Sequence, residues 1–167
     1  MIVFIDKGPG LMEAITAAGH TLYQLDGKWI ASDPVAVQQI IDSYQAPPPT
    51  AENVNAERDR RLVADFTFQG VRFQRDERSL QRITGAATLA GFARPFVQPG
   101  NLRWANPDRD FTWIASDNSL VPMDAHTCFA FGQAAANTET SIIFTAKALR
   151  EMDPIPLDFA DDKWWPK

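Results

Sequence analysis

The chain has 167 residues, 45% hydrophobic and 22% charged, with a formal net charge of -5. That is the size and composition of one ordinary globular domain, or one domain plus a small appendage, and the acidic balance argues against nucleic-acid or anionic-membrane binding. A single cysteine, Cys128, excludes an internal disulfide, and no apolar run approaches the length of a membrane span.

In chain order, Met1 to Ile5 is a short apolar run that predicts a strand. Asp6-Lys7-Gly8-Pro9-Gly10 predicts a turn. An acid at Asp6 followed by Gly-Pro-Gly is no secretory signal, so the protein is expected in the cytosol at synthesis. Leu11 to Ala18 predicts a short helix stopped by Gly19. Thr21 to Leu25 and Lys28 to Ala31 flank Asp26-Gly27, a strong two-residue hairpin signal. Asp33 then caps a helix with Pro34 at its first position, and Val37, Ile40, Ile41 and Tyr44 form its apolar face. Residues 1–45 thus read as a small βαββα unit, near the lower limit for independent folding. Residues 46–50 are a proline-rich linker, whose three prolines favour an extended spacer.

Ala51 to Ala64 predicts a charged helix with few apolar anchors (Val54, Leu62, Val63). Phe66 to Phe73 predicts a hairpin about Gln69-Gly70, with Phe66 and Phe68 on one face. Asp76 caps the next helix, and Leu80, Ile83, Ala87 and Ala90 share one side of it. Gly85 and Gly91 within it permit close packing or mark a break. Pro95, Pro99 and Gly100 end it. Arg103-Trp104 predicts the start of a strand, and Phe111 to Ala115 pairs with Ser119 to Met123 across Asp117-Asn118. Asp124 caps a last helix that reaches towards Met152. Its apolar stripe (Cys128, Phe131, Ala135, Thr138, Ile142, Thr145, Leu149, Met152) alternates steps of three and four. The polar run from Asn137 to Thr140 is a potential break. Pro154 and Pro156 stop the helix, and residues 153–167 form an acidic tail with Trp164-Trp165.

Chemical devices are scarce. Gly8-Pro9-Gly10 follows a predicted strand and precedes a helix. It lacks the later glycine of a dinucleotide loop and the Gly-Lys-Ser/Thr of a nucleotide loop, so it reads as a plain turn. His126 and Cys128 are two apart on a helix and point ~200° away from each other, so they share neither a metal nor a proton. Cys128 reads as a small buried apolar residue and His126 as a surface residue of the first turn. Asp108, Asp110, Asp117 and Asp124 flank the second hairpin; turn and cap chemistry explains them better than calcium, since no twelve-residue loop pattern is present. The run Glu57-Arg58-Asp59-Arg60-Arg61 reads as a solvated face, or more sharply as an interface rim. Trp104, Phe111, Trp113, Phe129 and Phe131 read as core, with a carbohydrate platform as the sharper alternative. Trp164 and Trp165 are costly to leave in water, and dock either on their own domain or on another chain.

Asn55 to Met152 resembles a family of short phage-encoded domains of unassigned function, found in tailed bacteriophages and prophages near tail-fibre and tail-fibre-assembly genes. The resemblance rests on A-E-R-D-R-R (Ala56 to Arg61), F-x-F-Q-G-V-R-F (Phe66 to Phe73) and D-E-R-S-L-Q-R-I-x-G-A-A (Asp76 to Ala87). It continues through W-I-A-S-D-N-S-L-V-P-M-D-A (Trp113 to Ala125) and the Ala/Phe-rich final helix. It covers a little under two thirds of the chain. It brings no catalytic motif, and the Trp-Trp tail lies outside it. The I-D-K-G-P-G-L opening resembles leader segments of similar phage proteins.

The expected fold is therefore α+β: the βαββα unit, the linker, and a helix–hairpin–helix–hairpin–long helix domain over residues 51–152. The expected function is that of a non-enzymatic structural or adaptor protein of a phage tail, at the baseplate or fibre attachment, located in the virion tail and working without metal or other cofactor. The alternative is a tail-fibre assembly chaperone that leaves before the virion is complete. The expected partners are other tail or fibre proteins and further copies in a symmetric assembly, not nucleic acid or membrane. The residues expected to carry partner binding are Trp164, Trp165, Phe131, Ile142 and Leu149.

Overall fold

The computed structural model describes residues 2–166. The chain divides between Pro48 and Pro49 into two compact units. Both are α+β: among the described residues there are five α-helices and three separate two-stranded antiparallel sheets.

The first unit holds α1 (Leu11–Ala17), β1 (Leu22–Leu25), β2 (Lys28–Ala31) and α2 (Pro34–Ser43). Asp26 and Gly27 both take positive φ (48° and 74°), the backbone that lets a two-residue turn follow the strand twist. The Asp33 carboxylate accepts from the Val35 and Ala36 amides and caps α2, a contact that typically contributes ~1 kcal/mol. Val37 and Ile41 on α2 are fully buried with Leu11 and Ile15 of α1. The predicted first strand does not form: residues 2–5 have no ladder partner, so the unit is αββα. A strand needs a neighbouring backbone, and here the Gln38 side-chain amide substitutes for one. Its Oε1 accepts from Val3 N at 2.8 Å and its Nε2 donates to Val3 O at 3.2 Å. Ile2 is buried and Phe4 stacks on Trp29 at 4.1 Å, so the apolar pattern is used without pairing.

The second unit holds α3 (Ala51–Leu62), β3 (Phe66–Phe68), β4 (Val71–Phe73), α4 (Glu77–Ala93), β5 (Thr112–Ile114), β6 (Leu120–Pro122) and α5 (Ala125–Arg150). Thr50, Asp76 and Asp124 cap α3, α4 and α5. Arg103-Trp104 forms turns rather than a strand, because Trp104 is held sideways by donation from its indole N–H to Met123 O. The polar run at Asn137 to Thr140 does not break α5. Thr138 turns its hydroxyl back onto Ala134 O, and buried Ala135 and Ile142 pin the helix on both sides of the run.

Helix α5, 26 residues and ~39 Å long, is the spine of two apolar clusters. Its N-terminal half packs against α4 and the two hairpins: Phe131 lies 5.4 Å from Phe66, 4.7 Å from Phe73 and 5.3 Å from Trp113 between ring centroids. Gly132 lets α4 and α5 approach closely, since a Cβ there would lie 2.2 Å from Ala87 Cβ. Gly91 meets the Phe129 ring, whereas Gly85 meets nothing, and α4 runs unbroken through both. The C-terminal half of α5 packs Ile142, Ala146 and Leu149 against Val54 of α3 and Trp165 of the tail.

Candidate functional site

The inward face of α4, with Ile83 and Ala90 fully buried, is matched by an unusual outward one. Leu89, Phe92 and Phe96 are 65%, 73% and 87% exposed. Their steps of three and four place them along one stripe, with Phe92 about half a helical turn, and Leu89 about a third of one, away from Ile83 and Ala90. Together they leave on the order of 400 Å² of apolar surface in water, the size of the largest patch on a typical monomer, and such patches are often functional. Arg78 and Arg82, both exposed, lie on the same face towards the N-terminus of α4. Arg94 leans back onto Phe129 with its guanidinium 4.2 Å from the ring centroid, and a short 3-10 turn at Arg94–Phe96 then projects Phe96 outward. The stripe thus has an apolar end and a basic end.

The residues expected to bind a partner lie elsewhere, and most of them are taken up by the protein's own packing. Phe131, Ile142, Leu149 and Trp165 are buried in the protein's own clusters, and Trp164 is half-buried. The tail folds back as a series of turns. The Trp165 indole N–H donates to Phe159 O at 2.7 Å, and that of Trp164 to an Asp158 carboxylate oxygen at 3.0 Å. Arg61 completes the clasp: its guanidinium carbon sits 5.0 Å over the Trp165 ring, and it pairs with Glu57 at 2.5 Å and Asp162 at 2.8 Å. Part of the charge run on α3 is therefore neither a solvated face nor an interface rim, but a half-buried network that holds the tail.

The remaining candidates resolve into structural roles. Gly8 and Gly10 have positive φ, and the Tyr44 hydroxyl donates to Pro9 O; a Cβ on Gly10 would meet that hydroxyl at 2.5 Å. Asp110 pairs with Arg103, Asp117 accepts from Ser119, and Asp124 accepts from Thr127 N and Gly100 N. Burial works to raise the pKa of Asp124, but the bonds from Gly100 and Thr127 outweigh it and hold the carboxyl below its ordinary range. Among the described residues no group of three or more His, Cys, Asp or Glu side chains is arranged to hold a metal. Trp104, Phe111 and Trp113 are half-buried and meet one another and Phe131 in sequence through tilted and edge-on ring contacts. Cys128 is buried, and burial pushes its thiol up to about 11. His126 is half-buried rather than on the surface.

Sequence reasoning missed the α4 stripe. The signal was available: Leu89 and Phe92 are large apolar residues opposite the face already assigned to the core. It also missed Arg75, a buried arginine beside α3.

Residues 45–161 match the family model described as Domain of unknown function (DUF4376), well over half of the chain, and the chain belongs to that family. No curated protein and no solved structure matches it.

Proposed function

We propose that this DUF4376 family member is a non-enzymatic adaptor of a tailed-phage tail, acting at the baseplate or fibre attachment, and that it holds another tail protein against the outer face of α4. The observation that carries this reading is the stripe of Leu89 and Phe92 on α4 and Phe96 in the 3-10 turn that follows it, all exposed, with Arg78 and Arg82 further along the same face of the helix. Aromatic side chains on a fixed backbone make good anchors, because burying them gains much area for little lost side-chain freedom. The arginines favour a partner whose apolar surface has an acidic border, which would set the register. The phage setting rests on the resemblance carried by Ala56 to Arg61, Phe66 to Phe73, Asp76 to Ala87 and Trp113 to Ala125. Among the described residues no helix is long and apolar enough to cross a membrane.

The test uses a phage whose genome encodes the chain. The protein is quantified by mass spectrometry in purified particles, for the natural sequence and for Leu89→Ser with Phe92→Ser and Phe96→Ser. The triple variant should keep its fold by circular dichroism and lose at least tenfold in incorporation, since two or three anchors at ~1–2 kcal/mol each exceed that factor. Equal incorporation of the two proteins would overturn the role of α4. Absence of the natural protein from particles, with co-purification on fibre protein, would replace the adaptor by an assembly chaperone.

A further inference from the structure

Strands β5 and β6 form a sheet of two, so each has one edge outside their shared ladder. Which backbone groups lie on the free edge of β5 follows from its bonds to β6. Met123 N donates to Phe111 O at 3.0 Å, and Ala115 N donates to Ser119 O at 2.9 Å. Backbone groups point alternately to the two sides of a strand, so Phe111, Trp113 and Ala115 turn theirs towards β6. Thr112, Ile114 and Ser116 turn theirs the other way. Ser116 bears out the alternation, since its N–H donates to Arg72 O of β4 at 2.9 Å. The outward amides and carbonyls of Thr112 and Ile114 meet no such backbone partner among the described residues.

The two free edges of this sheet differ. On β6 the outward positions are Leu120 and Pro122, and a proline has no N–H to offer, which closes an edge to further pairing. On β5 both outward residues keep their N–H. A groove of about 410 Å³ lies beside them. Residues 112–115 all line it. Successive side chains point to opposite faces of a sheet, so a groove that touches all four follows the edge of the strand and not one face. Its far wall is made by Gln74, Ser79 and Arg82. Walls on both sides admit a single extended chain and not the edge of a second folded sheet. Arg82 is the one charged residue that lines the groove, which favours an acidic residue on the occupant. On the outer face Ile114 lies opposite Leu120, and the two are 60% and 65% exposed. A further strand would bring this apolar pair a third neighbour.

We propose that this groove takes an extended peptide segment of another protein as a third strand beside β5. Backbone bonds to Thr112 and Ile114 hold it, and three residues, about 10 Å of extended chain, span both. A β-branched or aromatic residue opposite Ile114 covers the Ile114–Leu120 pair, and an acidic residue meets Arg82. The inference does not rest on the α4 stripe, with which the groove shares only Arg82.

To test this, the full chain is panned against a library of random displayed peptides, and the enriched sequence is synthesised with both ends capped. Its binding is followed by amide hydrogen exchange, read residue by residue by nuclear magnetic resonance. One-to-one binding is expected to slow exchange at Thr112 and Ile114 by about tenfold or more. Thr112→Pro, which gives β5 the closure that Pro122 gives β6, should weaken binding by about tenfold or more. Arg82→Gln should weaken it by about threefold. If no peptide is enriched, or if the bound peptide protects amides elsewhere, those of α4 included, the proposal fails. It fails equally if Thr112→Pro binds as tightly as the natural protein. Should Thr112→Pro not fold, peptides N-methylated one residue at a time decide: unchanged affinity at every position would show that no backbone ladder forms.

Discussion

Gly132→Ala is a one-carbon test of how α4 and α5 meet. The added Cβ would sit 2.2 Å from Ala87 Cβ and 3.7 Å from Ala87 Cα. Carbon atoms pack at ~3.5–4.0 Å, so the first contact is too short by ~1.3–1.8 Å. Neither atom is the end of a flexible side chain, so relief requires one helix to move against the other. Overpacking of this kind costs ~1–3 kcal/mol. Alanine returns up to ~1 kcal/mol through its better helix propensity, which leaves a net loss of up to ~2 kcal/mol, towards the upper end because the overlap is large. Gly85 is the internal control. It lies on α4 but is exposed, and a Cβ added there would meet no atom within 4 Å. Gly85→Ala should therefore stabilise by ~0.5–1 kcal/mol. Urea denaturation of the full chain, followed by far-ultraviolet circular dichroism and tryptophan fluorescence, should place the two variants on opposite sides of the natural protein. If Gly132→Ala is as stable as Gly85→Ala, the helices do not approach this closely and the packing argument is wrong.

Trp165→Ala should destabilise the second unit by ~3–5 kcal/mol, because it empties a site shared with Val54, Ile142, Ala146 and Leu149; thermal melting checks this, and an unchanged melt would return the tail to a partner-binding role. Cys128 should react with a thiol reagent only on unfolding, since its thiol is buried and pushed up to about 11; fast labelling of the native protein would contradict its placement. Asp124, whose pKa is depressed on folding, contributes stability that is present above the ordinary carboxylate range and lost as pH falls through the folded value. Asp124→Asn should thus flatten the fall in stability between about pH 5 and pH 3, and a melt series showing identical acid slopes would exclude this contribution.

The elements that the sequence made legible are the ones fixed by neighbours in the chain. Asp33, Asp76 and Asp124 cap helices through amides two or three residues away, and Asp26-Gly27 and Gln69-Gly70 close their hairpins by local backbone preference. The stripe on α5 was legible because burial repeats with the helical period. What failed depended on distant partners. Ile2 to Ile5 has the composition of a strand, but strand formation requires a backbone alongside, and a glutamine side chain took that place. Nothing local to Gly132 marks it as a close-approach point; its role comes from Ala87 on α4. Trp164 and Trp165 gave no sign of whether the chain turns back, which Arg61 and the C-terminal half of α5 decide. On the candidate site, an expectation built on large apolar residues selected those that the fold consumes. The free ones, Leu89 and Phe92, are distinguished by lying opposite a face that is already spoken for.

The central claim, that the outer face of α4 is a docking surface, is tested most directly by a photo-crosslinking amino acid placed at Phe92. On the proposed reading, a phage that encodes the chain is grown with this variant, with a second variant at Gln133 on an exposed position of α5 as the control. After irradiation, the crosslinked products are identified by mass spectrometry. The account predicts one dominant adduct from position 92, to a single tail protein, and little from position 133. Equal yields at the two positions, or only scattered adducts from position 92, would contradict it.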